Sequence, residues 1–319
     1  MDNLTHSLAG AVLGQMGLKR KTGLAMPTLV IAANLPDIDA FAVLLGGHQH
    51  LALRRGITHG PIAMLVLPVI LWALMLWFDR WQVRHGKRPT NRLPVHPGWL
   101  LALAYIGTIS HPALDWLNNY GIRLLEPFSS QWFYGDTLFI IDIWVWIALI
   151  AGVWISRRRE KAGRDDWRKP ATAAFVSIFL YIVANGLISS HAENAAKKLV
   201  IARYDPTASM PDPLVVANAV PIEFWKREIA WRDAFEMGKG DYQLGRGASL
   251  AAEVQAHRMD SLSPEAKAVA GDPDARDFLF WARMPFAESA KDGSIIIRDQ
   301  RFDNRAVRNN FEVIVRTRE

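Results

Sequence analysis

The chain has 319 residues, of which 50% are hydrophobic and 21% are charged, with 13 Trp and a formal net charge of +6. This composition excludes a uniform soluble domain and predicts that apolar and polar segments are segregated along the chain. The absence of cysteine excludes disulfides and thiolate metal sites, so any metal ion must take His and carboxylate ligands. No basic groove interleaved with aromatic residues indicates a nucleic-acid partner, so the basic excess is interpreted as solvated loops.

The first part of the chain carries the long apolar runs of a membrane protein. Residues 61–78 form an uncharged run close to the ~20 residues that a spanning helix needs. Three runs of similar length follow at 98–117, 137–155 and 171–189. Two earlier segments, 4–18 and 23–45, are too short or are interrupted by prolines. We therefore predict an all-α polytopic membrane domain over residues 1–190, with four firm spans plus two short or broken N-terminal helices.

The composition changes after about residue 190. Charged residues become frequent and the apolar runs shorten to the length of strands, as in DFLFWARMPF, SIIIRDQRF and FEVIVRTR. Between them, ASLAAEVQAHRM and SPEAKAVA are typical of helices. We predict that residues 191–319 form a small soluble α+β domain with a mainly antiparallel sheet. The sequence does not indicate a function for it.

Charge asymmetry orients the predicted spans, because short loops rich in Lys and Arg stay in the cytoplasm. The loops at 80–97 and 156–170 are strongly basic, and both are predicted to be cytoplasmic. A third basic cluster lies at 19–21 and is also predicted to be cytoplasmic. If successive segments cross the membrane in alternate directions between these three clusters, the loops 46–60 and 118–136 lie on the outer side of the membrane. The N-terminus lacks the basic region of a cleavable signal peptide. The chain is thus predicted to be a multi-pass inner-membrane protein with a periplasmic C-terminal domain.

Histidine and aspartate residues collect at the predicted outer ends of these helices. The candidate metal ligands are His6, Asp37, Asp39, His59, His111 and Asp115. The i,i+4 spacing of His111 and Asp115 puts both on one helix face, and ionisable residues inside an apolar run default to function or mutual pairing. A His/Asp set without Cys suits one or two divalent ions, with Zn preferred, in a catalytic site open to water. The sequence does not decide whether Asp142 has a functional role or makes a structural hydrogen bond.

Most of these residues also have a structural interpretation. His6 can cap the first helix, His59 can be an interfacial polar residue, and either aspartate of NLPDID can cap a helical turn. Two carboxylates one residue apart nevertheless allow one to bind metal while the other orients a ligand or takes a proton. On this basis Asp39 is predicted to be the general base. Arg54 and Arg55 are predicted anion clamps, although exposed interfacial arginines often only face lipid headgroups.

Four separated motifs carry a resemblance to a known family. DNLTHSLAGAVLG, ANLPDIDAF, RRGITHG and SHPALDWLNNYGIRLLEPFSSQWFYGDTLFIIDIWVW resemble, in the expected order, the YdjM family of inner-membrane, predicted metal-dependent hydrolases. The resemblance covers roughly residues 1–160 and implies a membrane hydrolase of unassigned substrate. The order His, Asp, His, His-x-x-x-Asp is also similar to the zinc-dependent phospholipase C and P1 nuclease superfamily. On that similarity, metal ligands would line up with His6, Asp37 or Asp39, His59, His111 and Asp115.

The function predicted from these residues is metal-assisted hydrolysis. A divalent ion lowers the pKa of bound water from ~16 toward ~7 and stabilises the oxyanion of a phosphoryl or acyl transition state. A site at the headgroup level of the bilayer favours a lipid or lipid-linked phosphoester as substrate. Two alternatives stay open. One is an ion or proton transporter, although transporter sites usually lie near the midplane between internal repeats, and the other is a non-catalytic scaffold with a structural metal.

Overall fold

The structure is a computed structural model that describes residues 1–46, 48–204, 212–233, 235–251, 257–259, 263–303 and 311–316. The chain divides into two compact units. The first combines Met1–Asp39 with Arg55–Gly186, and the second combines Ala40–Arg54 with Leu187–Glu319. The short segment Ala40–Arg54 therefore belongs with the C-terminal part of the chain, although it lies between two helical segments in sequence.

The N-terminal part of the chain is helical. The α-helices that precede the sheets in the described chain are α1 (Asn3–Gln15), α2 (Ala25–Ala32), α3 (Gln49–Leu53), α4 (Pro61–Arg84), α5 (Pro97–Asp115), α6 (Ile143–Lys161) and α7 (Lys169–Ile201). Short 3₁₀ segments connect them at Leu18–Arg20, Leu35–Leu45, Ile57–His59 and Asp165–Arg168. Small residues allow close packing within the first unit, because a Cβ added at Gly10 of α1 would lie 2.7 Å from the carbonyl oxygen of Leu29. A Cβ added at Gly107 of α5 would lie 2.5 Å from Cβ of Ala32, so α1 and α5 both approach α2 closely.

The number of membrane spans differs from the prediction. Within the described residues, Pro61–Arg84 and Asp165–Ile201 are long and apolar enough to cross a membrane. The bent pair Ala25–Ala32 and Leu35–Leu44 would count as a third if it acts as one span. Four firm spans are not supported. Helix α5 ends in polar residues, and α6 starts only at Ile143 and ends in RRREK, so the apolar part of each is too short.

The second unit contains two antiparallel sheets among its described residues. The first has the order β1-β2-β3-β4 and the second has the order β5-β6-β7-β8. Their strands are β1 (Leu214–Ala219), β2 (Lys226–Arg232), β3 (Met237–Gln243), β4 (Gly247–Leu250), β5 (His257–Arg258), β6 (Pro285–Ser289), β7 (Ile295–Asp299) and β8 (Glu312–Val315). Helices α8 (Pro264–Val269) and α9 (Pro273–Trp281) lie between β5 and β6 in sequence. The predicted antiparallel sheet is therefore confirmed, as a pair of sheets. The run DFLFWARMPF is not one strand as predicted, because residues 277–281 lie in α9 and only its last two residues lie in β6.

The core of the second unit packs a tryptophan of β2 against a glycine of β3. Trp231 of β2 is fully buried and pairs with Gly238 of β3, where a Cβ would lie 2.8 Å from the indole ring. The glycine therefore provides the space that the indole fills. The helix predicted for SPEAKAVA is confirmed as α8, which Ser263 caps. The helix predicted for ASLAAEVQAHRM is wrong at both ends, because residues 248–250 lie in β4 and residues 257 and 258 form β5. Residues 252–256 lie outside the described chain.

Candidate metal centre

Four predicted ligands meet inside the first unit. Asp37, His59, His111 and Asp115 are all buried, and each offers one ligand atom such that these atoms lie within 4.8 Å of one another. The 3₁₀ segment after α2 supplies Asp37, the 3₁₀ turn before α4 supplies His59, and the last turn of α5 supplies the other two. The structure thus brings together residues that are up to 78 positions apart in the motifs.

The imidazole of His111 is held with its Nε2 atom toward this group. Its Nδ1 donates a hydrogen bond to the carbonyl oxygen of Ala33, at 2.7 Å. A carbonyl only accepts, so Nδ1 carries the proton of the neutral ring and Nε2 keeps its lone pair. This Nε2 lies 3.5 Å from Oδ2 of Asp115 and 3.7 Å from Oδ1 of Asp37. His111 is therefore oriented as a metal ligand would be.

The imidazole of His59 is held in the same way by Asp39. Oδ2 of Asp39 lies 3.3 Å from Nδ1 of His59 and accepts hydrogen bonds from the backbone N–H of Arg55, at 2.7 Å, and from the hydroxyl of Thr58, at 2.8 Å. A carboxylate behind a histidine in this manner orients metal ligands in many proteins. The sequence predicted Asp39 as a ligand or as the general base, and the structure places it behind His59, outside the group of four.

The two histidines fit a shared ion. Their Nε2 atoms lie 3.1 Å apart, and each ring turns its Nδ1 toward an acceptor elsewhere. Two facing lone pairs at that separation repel, so either one of the two nitrogens carries a proton or both share a cation. Nitrogens that are each 2.0–2.1 Å from one ion at a tetrahedral angle would be roughly 3.3 Å apart. Two imidazoles and two carboxylates without Cys match the donors that Zn, Mn and Fe take in proteins.

The charges around His59 favour a cation in the same place. Burial by itself lowers the pKa of His59, but its hydrogen bonds to Asp115 and Asp39, together with the charges of these carboxylates, outweigh burial. The pKa of this histidine therefore lies above its ordinary value. The carboxylates thus attract positive charge to this point of the structure, as a metal site requires.

Arg55 forms one wall of the group. Its Nε lies 2.9 Å from Oδ2 of Asp115, its Nη2 lies 3.2 Å from Oδ1, and its Nη1 donates to Oδ1 of Asn118 at 2.9 Å. The guanidinium also lies over the ring of Tyr120, 4.7 Å from its centre. Arg55 was predicted to clamp a substrate anion, whereas its guanidinium binds the carboxylate of Asp115. Arg54, the other predicted clamp, belongs to the second unit.

His6 lies at the edge of the group. It is fully buried, its ring stacks on that of His111 with centroids 3.8 Å apart, and its Nε2 lies 3.2 Å from Oδ1 of Asp115. The amino group of Met1 also contacts that carboxylate. Asp2, rather than His6, caps α1 by accepting hydrogen bonds from backbone N–H groups of the first turn. The structural alternative for His6 as a helix cap is therefore wrong.

Asp142 has the structural role that the sequence left open. Its carboxylate caps α6 by accepting from the N–H groups of Trp144 and Val145, at 3.0 and 3.1 Å. It also accepts from the hydroxyl of Tyr181, at 3.1 Å. Such a carboxylate stabilises the first turn of the helix.

The sequence did not single out two residues that lie beside the group. Asn118 is fully buried and accepts hydrogen bonds from Arg55 and from the N–H of Tyr120. Arg123 is also buried, and its backbone N–H donates to the carbonyl oxygen of Arg55, at 2.9 Å. The run NNYGIR starts three residues after Asp115, so its position was a usable signal. Nothing local in this run indicates which side chains turn inward.

Comparison with known proteins gives one match. Residues 1–192 match the model of a family described as YdjM inner membrane protein, which is more than half of the 319-residue chain. The matched region contains all four residues of the group as well as His6, Asp39 and Arg55. No curated protein and no solved structure matches this chain.

Proposed function

The chain belongs to the YdjM inner membrane protein family, and from that premise we propose that it is a membrane-bound, metal-dependent hydrolase. The observation that carries the proposal is the buried group of Asp37, His59, His111 and Asp115, whose ligand atoms lie within 4.8 Å of one another. Both histidines turn Nε2 toward the group because Nδ1 faces an acceptor behind it. The proposed ion is Zn, held by these four side chains.

In this proposal, some residues bind the ion and others orient the residues that bind it. An ion bound by the group would lower the pKa of water from ~16 toward ~7 and would stabilise negative charge on a phosphoryl or acyl oxygen. Asp39 fixes the ring of His59, and the carbonyl of Ala33 fixes that of His111. Asp39 is therefore proposed as a positioning residue, in place of the general base predicted from the sequence. Arg55 holds the carboxylate of Asp115 in place.

The proposed location is the outer face of the inner membrane. The group lies at the start of α4 and the end of α5, whereas the basic loop 85–96 joins the other ends of these helices. Helix α4 has 24 residues, which at 1.5 Å per residue is about 36 Å and enough to cross a bilayer. Because short basic loops stay in the cytoplasm, this arrangement supports an outward-facing site. Helix α7 likewise starts at a basic segment, so one crossing would put the C-terminal sheets in the periplasm.

The proposed substrate is a phosphoester, lipid-linked in its natural form. A site at the end of a membrane helix lies at the depth of lipid headgroups. The lipid bilayer is therefore both the environment of the protein and the proposed source of its substrate.

Metal content and hydrolysis measured together test this proposal. The protein purified in detergent is expected to carry about one divalent ion per chain and to hydrolyse at least one member of a phosphomonoester, phosphodiester and lipid ester panel. His111→Ala and Asp115→Asn should lose the ion and the hydrolysis together. His85→Ala is the matched control, because His85 is exposed at the opposite end of α4. A well-folded protein that carries metal but hydrolyses nothing would favour a structural metal, and one that binds no metal would contradict the proposal.

A further inference from the structure

A second buried arginine adjoins the candidate metal centre. Arg123 lies in the segment 118–136 after α5, and its side chain is only 7% exposed. Its backbone is hydrogen-bonded to that of Arg55, whose guanidinium binds Asp115. The family match covers this residue, but none of the roles described above involves its side chain.

The guanidinium of Arg123 is held in a defined orientation. It lies over the ring of Trp132, 5.1 Å from the ring centre, and its Nη1 lies 3.4 Å from Oε2 of Glu126. Burial lowers the pKa of Arg123, and the charges of Glu126 and Asp39 act in the opposite direction. Because the ordinary pKa of a guanidinium lies far above neutral pH, the group stays charged. An aromatic ring behind a guanidinium presents its fork of donors in one plane, which suits the oxygens of a phosphate.

Two glycines of the RRGITHG motif let Arg123 approach the turn that carries His59. A Cβ added at Gly56 would lie 2.3 Å from Nη2 of Arg123. A Cβ added at Gly60 would lie 1.9 Å from the carbonyl oxygen of Glu126. A side chain fits at Gly60 only if the backbone at Glu126 moves, and at Gly56 only if the guanidinium of Arg123 moves. The two glycines therefore allow the segment that contains Arg123 to pack directly against the turn Ile57–His59, called the metal-site turn below.

The same two segments expose large apolar side chains. Phe128 is 76% exposed and Leu125 is 44% exposed, and a backbone hydrogen bond of 2.8 Å joins them in one turn. Ile57, on the metal-site turn, is 64% exposed and lies four residues before the candidate span Pro61–Arg84. Exposed apolar side chains on loops at the end of a membrane helix favour contact with lipid.

We propose that Arg123 binds the phosphoryl group of the substrate and that Ile57, Leu125 and Phe128 contact its acyl chains. The substrate class is then an anionic phospholipid with an accessible phosphoester, rather than a neutral ester or a free phosphate compound. The inference rests on the proposed hydrolase and adds the residues that select its substrate. The assignment of the phosphate headgroup to Arg123 rests on charge complementarity, since a buried, oriented guanidinium is a phosphate-binding group. The assignment of the acyl chains rests on the exposed apolar side chains of the two segments.

Equilibrium binding to the full-length, metal-loaded protein in detergent tests both parts without requiring turnover. The probes are inorganic phosphate and phosphatidic acid in mixed micelles. Arg123→Gln is expected to weaken binding of both probes about tenfold, the effect of losing one charge-assisted hydrogen bond. Metal content and melting temperature should stay close to those of the wild type. Arg80→Gln, at an exposed position of α4, is the matched control and should bind both probes normally.

A second variant separates the lipid from a free phosphate compound. Phe128→Ser is expected to weaken binding of phosphatidic acid severalfold and to leave inorganic phosphate unaffected, whereas Phe235→Ser, at a 70% exposed position of the second unit, should change neither. If Arg123→Gln proves unstable, Arg123→Lys keeps the charge without the fork and should show an intermediate loss.

The contrary results are distinct for each part. Normal binding of phosphate by Arg123→Gln or Arg123→Lys would overturn the role of Arg123 in binding the substrate. Normal binding of phosphatidic acid by Phe128→Ser would overturn the lipid assignment in favour of a soluble phosphoester. Failure of the proposed function is recognisable separately, as metal-loaded wild-type protein that binds phosphate but hydrolyses no ester.

Discussion

At the scale of single residues, Asp39 lies behind His59 at the candidate metal centre and outside the group of four candidate ligands. One of its oxygens accepts hydrogen bonds from the backbone of Arg55 and the hydroxyl of Thr58, and it faces Nδ1 of His59 at 3.3 Å. In the neutral ring these contacts keep the proton on Nδ1 and direct Nε2 toward the other candidate ligands. Asp37, two positions earlier, is instead one of the four candidate ligands.

This difference predicts distinct effects of two conservative substitutions. Asp39→Asn should weaken metal affinity by about 10–100-fold, as loss of an orienting partner usually does, and excess metal should restore hydrolysis. Asp115→Asn should not be rescued, because a ligand is lost. Metal titrations followed by rate measurements at saturating metal check both. Normal affinity with a lost rate in Asp39→Asn would instead support Asp39 as the general base.

At the scale of elements, a buried ion pair joins the end of β7 to the 3₁₀ turn Gln300–Phe302. Asp299 and Arg301 are both fully buried, with Nη2 of Arg301 2.8 Å from Oδ2 of Asp299. The carboxylate also accepts from the backbone N–H groups of Arg283 and Met284, at 2.7 and 3.2 Å. Burial raises the pKa of Asp299, but the charge and hydrogen bonds of Arg301 outweigh it, and the pKa lies below its ordinary value.

This ion pair predicts how the stability of the C-terminal sheets depends on pH. A pKa that is lower in the folded than in the unfolded chain stabilises the fold above the unfolded value of about 3.9, and this stabilisation is lost as pH falls through the folded value. Asp299→Asn leaves Arg301 buried without its counter-charge, so a loss of roughly 3–5 kcal/mol is expected at neutral pH. The acid limb of the stability curve should also flatten.

Thermal unfolding of the full-length protein between pH 7 and acid pH checks this expectation. Asp292→Asn is the matched control, because Asp292 is exposed and its lowered pKa comes from hydrogen bonds to Ser294. This control should retain nearly all of the wild-type stability. An Asp299→Asn variant with wild-type melting temperatures at every pH would contradict a stabilising role for the pair.

At the scale of the whole molecule, the basic loops predict which parts face the periplasm. The loops at 80–97 and 156–170 should be cytoplasmic, and the C-terminal residues should be periplasmic. Alkaline phosphatase, which is active only outside the cytoplasm, is expected to be active when fused after residue 319 and inactive when fused after residue 90. The reverse pattern would contradict the outward-facing site.

Much of the site was predictable from the sequence, because the relevant geometry is local. The His-x-x-x-Asp spacing places His111 and Asp115 on one face of α5, since an α-helix repeats every 3.6 residues. The absence of cysteine restricted the ligands to His and carboxylate, and four ordered motifs indicated the family that the match to residues 1–192 shows. The alternation of apolar and polar residues likewise indicated antiparallel strands near the C-terminus.

Only the tertiary structure decided which polar side chains meet. Asp37 and Asp39 have equivalent sequence surroundings, and they separate because His59 and Arg55, from a distant turn, occupy the space beside Asp39. Arg123 approaches the site only because Gly56 lacks a side chain.

The number of membrane-spanning helices was also decided by the tertiary structure. Apolar length predicts how far a helix can extend, whereas caps such as Asp142 and the packed segment after α5 decide where it begins and ends. The sequence by itself therefore determined which residue types could bind a metal ion and which segments have helical or strand periodicity. The contacts between distant segments determined the roles, because those contacts depend on packing that no local pattern encodes.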